Sequence, residues 1–184
     1  MHPLSRLQTL AMPCLVIVLA ASSPGRTADV RAEVRTGQDA SSEVDQQTVQ
    51  AIVKAFERAE AAIHGRNLDG VMQLYAPDYN YHALRRDDIR KIWKNLFANY
   101  RQISTTHYFA KIRTKGIGPH LGAEVTCTGT LWATSDLTNL RVPLDSWHEE
   151  IHYLTRENGE WKIIGNIGET PTVLEFGASP HPLF

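Results

Sequence analysis

The segment from Trp147 to Tyr153 holds the densest set of chemically capable side chains in this chain of 184 residues. Successive side chains of a β-strand point to opposite faces, so alternation puts Trp147, Glu149, Ile151 and Tyr153 together. The apolar members of this set predict that it faces the interior. A carboxylate enclosed by aromatic rings is desolvated, which lets it exchange protons near neutral pH. Glu149 is therefore a candidate catalytic residue, the alternative being a paired or solvated carboxylate at the rim.

The opposite face of the same predicted strand carries His148, Glu150 and His152. Two imidazoles and a carboxylate are ligands that zinc favours. A third strong ligand would have to come from elsewhere, and His107 is the available candidate. The run His148-Glu149-Glu150-Ile151-His152 has the His-Glu-x-x-His spacing, but that zinc motif requires a helix and this segment is a predicted strand. The chain has no Cys-x-x-Cys spacing. We therefore expect a solvated face and no metal.

A second acid–base candidate and a set of aromatic side chains indicate a pocket for a small, mostly apolar molecule. The acid–base candidate is His82, in a predicted short strand. Four aromatic residues are candidates to line the pocket, with core packing as the alternative: Tyr81, Tyr108, Trp147 and Tyr153. The sequence has no nucleophile elbow, phosphate-binding glycine loop or dinucleotide fingerprint, so we expect no cofactor.

The elements that must position these residues follow from apolar spacing and turn residues. Three helices are predicted: Val49 to Ile63, ended by Gly65; Asn67 to Tyr75, ended by Pro77; and Asp87 to Tyr100. Five strands are predicted: Tyr79 to Ala83, Ile103 to Lys115, Leu121 to Thr134, Val142 to Arg156 and Trp161 to Gly168. Asn158-Gly159 between the last two runs is a strong hairpin signal.

This order of elements, with the phrases GRNLDGVMQLYAPD at 65–78 and NGEWKII at 158–164, resembles the nuclear transport factor two-like superfamily. That group includes SnoaL-like domains and ketosteroid isomerases, and the resemblance spans about Asp45 to Gly168. It implies an α+β fold in which three N-terminal helices pack in a strongly curved, mostly antiparallel sheet that forms a cone with an internal cavity. It also implies a homodimer through the sheet, where Trp132 is expected as an exposed contact. Unrelated chemistries share such folds, so the resemblance does not settle function.

Ketosteroid isomerases need a tyrosine on the first helix, a carboxylate base in the short strand and a protonated acid in the sheet. When the chain is laid on that pattern, these positions fall at Ala59, about Ala83 and about Ile151. All three are apolar, so steroid isomerisation by that mechanism is not expected. His82, one residue from the base position, keeps a variant base open.

The N-terminus resembles an export signal, because Arg6 precedes an apolar run at 10–21 that is too short to cross a bilayer. We expect a signal peptide at 1–28 with cleavage between 21 and 28, a mobile leader at 29–42, the cone domain at 43–168 and a C-terminal extension at 169–184. The protein would then be periplasmic or secreted, with no membrane attachment after cleavage. The net charge of −1 gives no support to nucleic-acid binding. Cleavage would leave Cys127 without a disulfide partner.

Together these features predict an exported domain whose cavity binds a small, mostly apolar molecule as a non-catalytic binding or assembly module. The alternative is a cofactor-free cyclase, isomerase, dehydratase or hydrolase that uses Glu149 or His82 with tyrosine hydroxyls. The apolar residues at the isomerase positions favour the binding module.

Overall fold

The computed structural model describes residues 33–37, 44–81, 84–116 and 121–165. The expected signal peptide, the C-terminal extension and His82 lie outside these residues. The elements, in chain order, are β1 Glu33–Thr36, α1 Gln46–His64, α2 Leu68–Met72, β2 Tyr75–Tyr81, β3 Leu84–Arg85, α3 Arg86–Asn99, β4 Tyr100–Lys115, β5 Gly122–Ser135, β6 Arg141–Glu157 and β7 Glu160–Gly165.

The first and third predicted helices are confirmed. The Asp45 carboxylate accepts a hydrogen bond from the Thr48 N–H at 2.9 Å and so caps the start of α1, which ends at Gly65. One face of each helix is buried, as the spacing predicted. The buried residues are Val49, Ile52, Ala55, Phe56, Ala59, Glu60 and Ile63 in α1, and Ile89, Trp93 and Phe97 in α3.

The second helix is shorter than predicted. It ends at Met72, and Tyr75 already pairs with Ile163 of β7 in a parallel ladder. The Ile163 N–H also donates to the Leu74 carbonyl at 2.7 Å, so pairing with the sheet replaces further helical hydrogen bonds. Pro77 therefore lies inside β2 rather than ending a helix. It is exposed and falls where the β2–β7 register shifts, a position that needs no backbone donor.

The seven strands form one sheet in the order β1-β4-β5-β6-β7-β2-β3. The sheet is curled but not closed. The β1–β4 and β2–β7 pairs are parallel and the other neighbours are antiparallel. The expected Asn158-Gly159 turn joins β6 to β7, with φ of 51° and 86° at its two residues.

Strand β1 was not predicted, because it lies within the segment interpreted as a mobile leader. It pairs with β4 from Glu33↔Thr106 to Thr36↔Phe109 and precedes the helices in the chain. Helix α1 contacts β1, β4 and β7. The inner face of the sheet and the helices thus share one apolar core.

Candidate active site

The predicted facing of the Trp147–Tyr153 segment is wrong beyond Trp147, because β6 contains a bulge. Gly129 of β5 pairs with Trp147 and Cys127 pairs with Glu150, so one residue of β5 opposes both His148 and Glu149. The Thr128 hydroxyl accepts the Glu149 N–H at 2.9 Å, and Glu149 has a φ of 52°. The extra residue reverses the side-chain alternation that follows.

As a result Glu149 is exposed on the outer face, and Ile151 is 49% exposed. Glu150 and His152 take the inward positions, with His152 only 3% exposed. His148 remains exposed, so the three polar residues predicted to share a face do not do so. Among the described residues, no group of three or more His, Cys, Asp or Glu side chains is placed to hold a metal ion.

The four aromatic candidates do not line one space. Trp147 is buried in the hydrophobic core, and Tyr81 is half-buried and packs against that core. Tyr108 is 47% exposed and pairs with Thr128 on the outer face, and Tyr153 lies opposite Glu124 on that same face. Both tyrosines are therefore on the wrong side of the sheet for an interior pocket.

The structure instead brings together Glu60 of α1 and His107 of β4, a pair that sequence reasoning missed. His107 Nε2 lies 3.2 Å from Glu60 Oε1, and the two side chains are 0% and 7% exposed. The Thr105 hydroxyl donates to the same carboxylate oxygen. Glu60 Oε2 is buried and has no hydrogen-bond partner among the residues that the structure describes.

Cys127 of β5 lies on the other side of the His107 ring. Its Sγ is 3.6 Å from His107 Nδ1 and accepts a hydrogen bond from Trp147 Nε1 at 3.2 Å. Burial raises the pKa of the Cys127 thiol to about 12, although the Trp147 hydrogen bond acts in the opposite direction. The thiol therefore stays protonated and is not a nucleophile. Cys127 is fully buried, with 0% of the residue exposed.

Gly129 provides the space that the Trp147 ring needs. A Cβ at Gly129 would lie 2.3 Å from Trp147 Cζ2 and 2.2 Å from the Thr106 carbonyl oxygen. Both distances are far below van der Waals contact, so only glycine allows the indole to lie across β5. This packing holds Trp147 Nε1 at the Cys127 sulfur.

Aromatic rings enclose the polar group. The Phe56 ring centroid is 5.1 Å from that of His107 and 4.9 Å from that of Phe109. The Trp147 centroid is 5.2 Å from that of His107. His152, the second buried imidazole, packs on both Phe56 and Trp147. A carboxylate and an imidazole, two side chains that can serve as general acid or base, are thus held in hydrogen-bond contact in apolar surroundings.

Two sequence signals could have identified this pair. Glu60 is four residues after Phe56 and three before Ile63, so it lies within the apolar stripe of α1. His107 alternates with Phe109 along β4 and so shares its face. An ionisable residue in the apolar stripe of a helix, or on the apolar face of a strand, is buried as long as the regular side-chain spacing of that element holds.

Comparison with known proteins extends only to the fold. No protein-family model and no curated protein matches the chain. A conserved protein from Planctomyces limnophilus superposes with a TM-score of 0.55 at 14% identity, covering 66% of this chain and 94% of its own. A candidate scytalone dehydratase from Novosphingobium aromaticivorans gives a TM-score of 0.50 at 15% identity, covering 65% and 80%.

A ketosteroid isomerase-like protein from Erwinia carotovora atroseptica also matches, with a TM-score of 0.48, 14% identity, and coverage of 66% and 94%. The chain has the nuclear transport factor two-like fold, as the sequence resemblance implied. At these identities the likeness establishes the fold alone.

Proposed function

We propose that this domain is a cofactor-free acid–base enzyme that acts on a small, mostly apolar molecule inside the curl of its sheet. The Glu60–His107 pair takes a proton from a substrate carbon and returns a proton to the rearranged product or to its leaving group. This assigns the domain to the isomerase or dehydratase class of reactions.

The observation that carries the proposal is the burial of the pair. Removing a carboxylate from water costs several kcal/mol, by order of magnitude, and a buried pair often stabilises a fold no better than apolar residues would. A gain in folding stability is therefore a poor explanation for the presence of this buried pair. Strongly desolvated groups with a specific partner are instead typical of functional sites.

The open acceptor at Glu60 supports the same conclusion. A pair kept only for structure would be expected to satisfy both carboxylate oxygens, because a buried acceptor without a partner costs about 1–3 kcal/mol. Glu60 Oε2 has no such partner among the described residues. In the proposal this oxygen faces the substrate.

The test is a turnover screen with defined probes. Small β-hydroxy ketones report elimination of water, and aryl ketones in deuterated water report exchange of the carbon-bound proton. The first class is suggested by the dehydratase among the structural neighbours. We expect at least one probe to react faster with the protein than in buffer, and the excess rate to disappear in Glu60→Gln. A panel without such a rate would contradict the proposal.

The second candidate is the non-catalytic binding module. One observation favours it: both nitrogens of His107 contact protein atoms, Nε2 at Glu60 and Nδ1 at Cys127. An imidazole held in this way is not itself directed at a substrate. Thermal-shift binding of an apolar probe without any turnover would support this candidate over the enzyme.

Export and dimerisation are part of the proposal. The proposal of export rests on the N-terminal apolar run. Intact-mass measurement of protein recovered from the periplasm tests it. Finding the full-length chain in the periplasm would contradict cleavage. No described helix is long and apolar enough to cross a membrane.

A homodimer through the outer face of the sheet is supported by the exposed side chains of Tyr108 and Ile151. Trp132 is half-buried rather than exposed, with the Arg141 guanidinium 6.0 Å from its ring centroid. Light scattering should give a dimer that Ile151→Arg splits. A monomer in the unmodified protein would contradict the dimer.

A further inference from the structure

Resting on the proposed function, we infer that the Cys127 thiol is a positioning group that holds His107 in the tautomer with its proton on Nε2. This tautomer assigns proton abstraction to Glu60 Oε2 rather than to the imidazole. His107 then orients the carboxylate, and Cys127 orients His107.

The indole nitrogen of Trp147 can only donate a hydrogen bond. Trp147 Nε1 lies 3.2 Å from Cys127 Sγ, so the sulfur is the acceptor in this contact. One acceptor site of the sulfur is thereby used. The single proton of the thiol remains available for donation elsewhere.

The carboxylate oxygens of Glu60 accept hydrogen bonds and do not donate them. The Thr105 hydroxyl already donates to Oε1, and His107 Nε2 approaches the same oxygen at 3.2 Å. Nε2 must therefore carry a proton to make a favourable contact. A neutral histidine has one ring proton, so its Nδ1 is then an acceptor that needs a donor.

The thiol of Cys127 is the group placed to supply that donor. Its sulfur is 3.6 Å from Nδ1, and it keeps its proton because burial raises its pKa to about 12. The hydrogen bonds then run in one direction, from the Trp147 indole to the sulfur, from the thiol to Nδ1, and from Nε2–H to Glu60 Oε1. Glu60 Oε2 is the oxygen left for a substrate proton.

A competing arrangement is defined by the Thr128 carbonyl oxygen, 3.7 Å from the same sulfur. If the thiol donated to that oxygen, Nδ1 would carry the histidine proton and donate to sulfur. Nε2 would then be an acceptor, and the proton of the contact would have to come from Glu60. The two arrangements predict opposite tautomers and so can be separated directly.

The experiment measures ¹⁵N chemical shifts of His107 in the ¹⁵N-histidine-labelled protein, at mildly alkaline pH where an ordinary histidine is neutral. His107→Gln identifies the signals. We expect a protonated Nε2 and an unprotonated Nδ1. A protonated Nδ1, alone or as an imidazolium, would overturn the inference.

Two variants then test the role of the thiol. Cys127→Ser keeps a donor of similar size and should retain the Nε2–H tautomer. Cys127→Val removes the donor and should shift the signals toward a mixture of tautomers. An unchanged tautomer in a folded Cys127→Val protein would overturn the inference.

Turnover distinguishes the failure of this inference from the failure of the proposed function. The expected tautomers without turnover of any probe would overturn the assignment of the base and the proposed function together. Turnover with the opposite tautomer would overturn the role of Cys127 and the assignment of the base to Glu60 Oε2, and would leave the proposed function in place.

Discussion

His107 Nε2 lies 3.2 Å from Glu60 Oε1, and this contact joins the buried face of α1 to the inner face of β4. Its two partners are far apart in sequence and come from elements of different type. The contact therefore forms only when the helix docks onto the sheet. Its consequences for stability and for chemistry can be measured separately.

The first prediction concerns stability. His107→Leu leaves the Glu60 carboxylate buried without its imidazole, which should lower the free energy of unfolding by about 3–5 kcal/mol. Adding Glu60→Met removes the stranded carboxylate, so the double variant should be more stable than His107→Leu alone. Urea unfolding of the single and double variants measures this coupling. Additive losses would mean that the two side chains do not interact.

The second prediction concerns the bulge in β6. Glu149 has a φ of 52°, a conformation that costs a non-glycine residue about 1–2 kcal/mol. Glu149→Gly should therefore leave the melting temperature unchanged or raise it. The matched control is Glu150→Gly, at the neighbouring position outside the positive-φ region, which should lower it. A clear loss of stability in Glu149→Gly would show that the bulge lies elsewhere.

The third prediction concerns the pH dependence of stability. Burial raises the pKa of the Cys127 thiol from 9.0 to about 12, so the folded chain holds this proton more tightly than the unfolded chain. The thiol contribution is complete below pH 9.0 and is lost as the pH rises toward 12. Burial raises the pKa of Tyr75 and Tyr79 as well, which acts in the same direction.

We therefore expect the free energy of unfolding to fall at alkaline pH, and less steeply in Cys127→Ser. Cys14→Ser removes the other cysteine of the chain. A thiol reagent should leave this variant unlabelled when it is folded near neutral pH and should modify Cys127 after unfolding. Rapid labelling of the folded protein would contradict the burial of this thiol.

Local sequence patterns predicted most of the secondary structure. The apolar spacing of α1 and α3 and the long alternating runs of β4, β5, β6 and β7 correspond to the observed elements. These patterns arise within single segments and need no tertiary information. The end of α2 was misplaced because Tyr75 and Leu74 bond to β7, a contact with a distant part of the chain.

The site was harder to predict than the fold for the same reason. The bulge at Glu149 depends on Thr128 across the sheet, and one extra residue exchanges the two faces of the segment that follows. Three consecutive polar residues, His148 to Glu150, were the local sign of broken alternation. Glu60 did lie in the stripe of α1, but its partner became visible only when β4 was placed against the helix.

Catalysis by the buried carboxylate is tested by comparing the turnover of Glu60→Gln and Glu149→Gln on a probe that the unmodified protein converts. Both substitutions keep the side-chain shape and remove the ionisable carboxyl, one in the core and one on the outer face. We expect a loss of about a hundredfold or more in kcat for Glu60→Gln, the usual scale for a general acid or base, and a rate close to that of the unmodified protein for Glu149→Gln. Undiminished turnover in a folded Glu60→Gln protein, or equal losses in both variants, would contradict it.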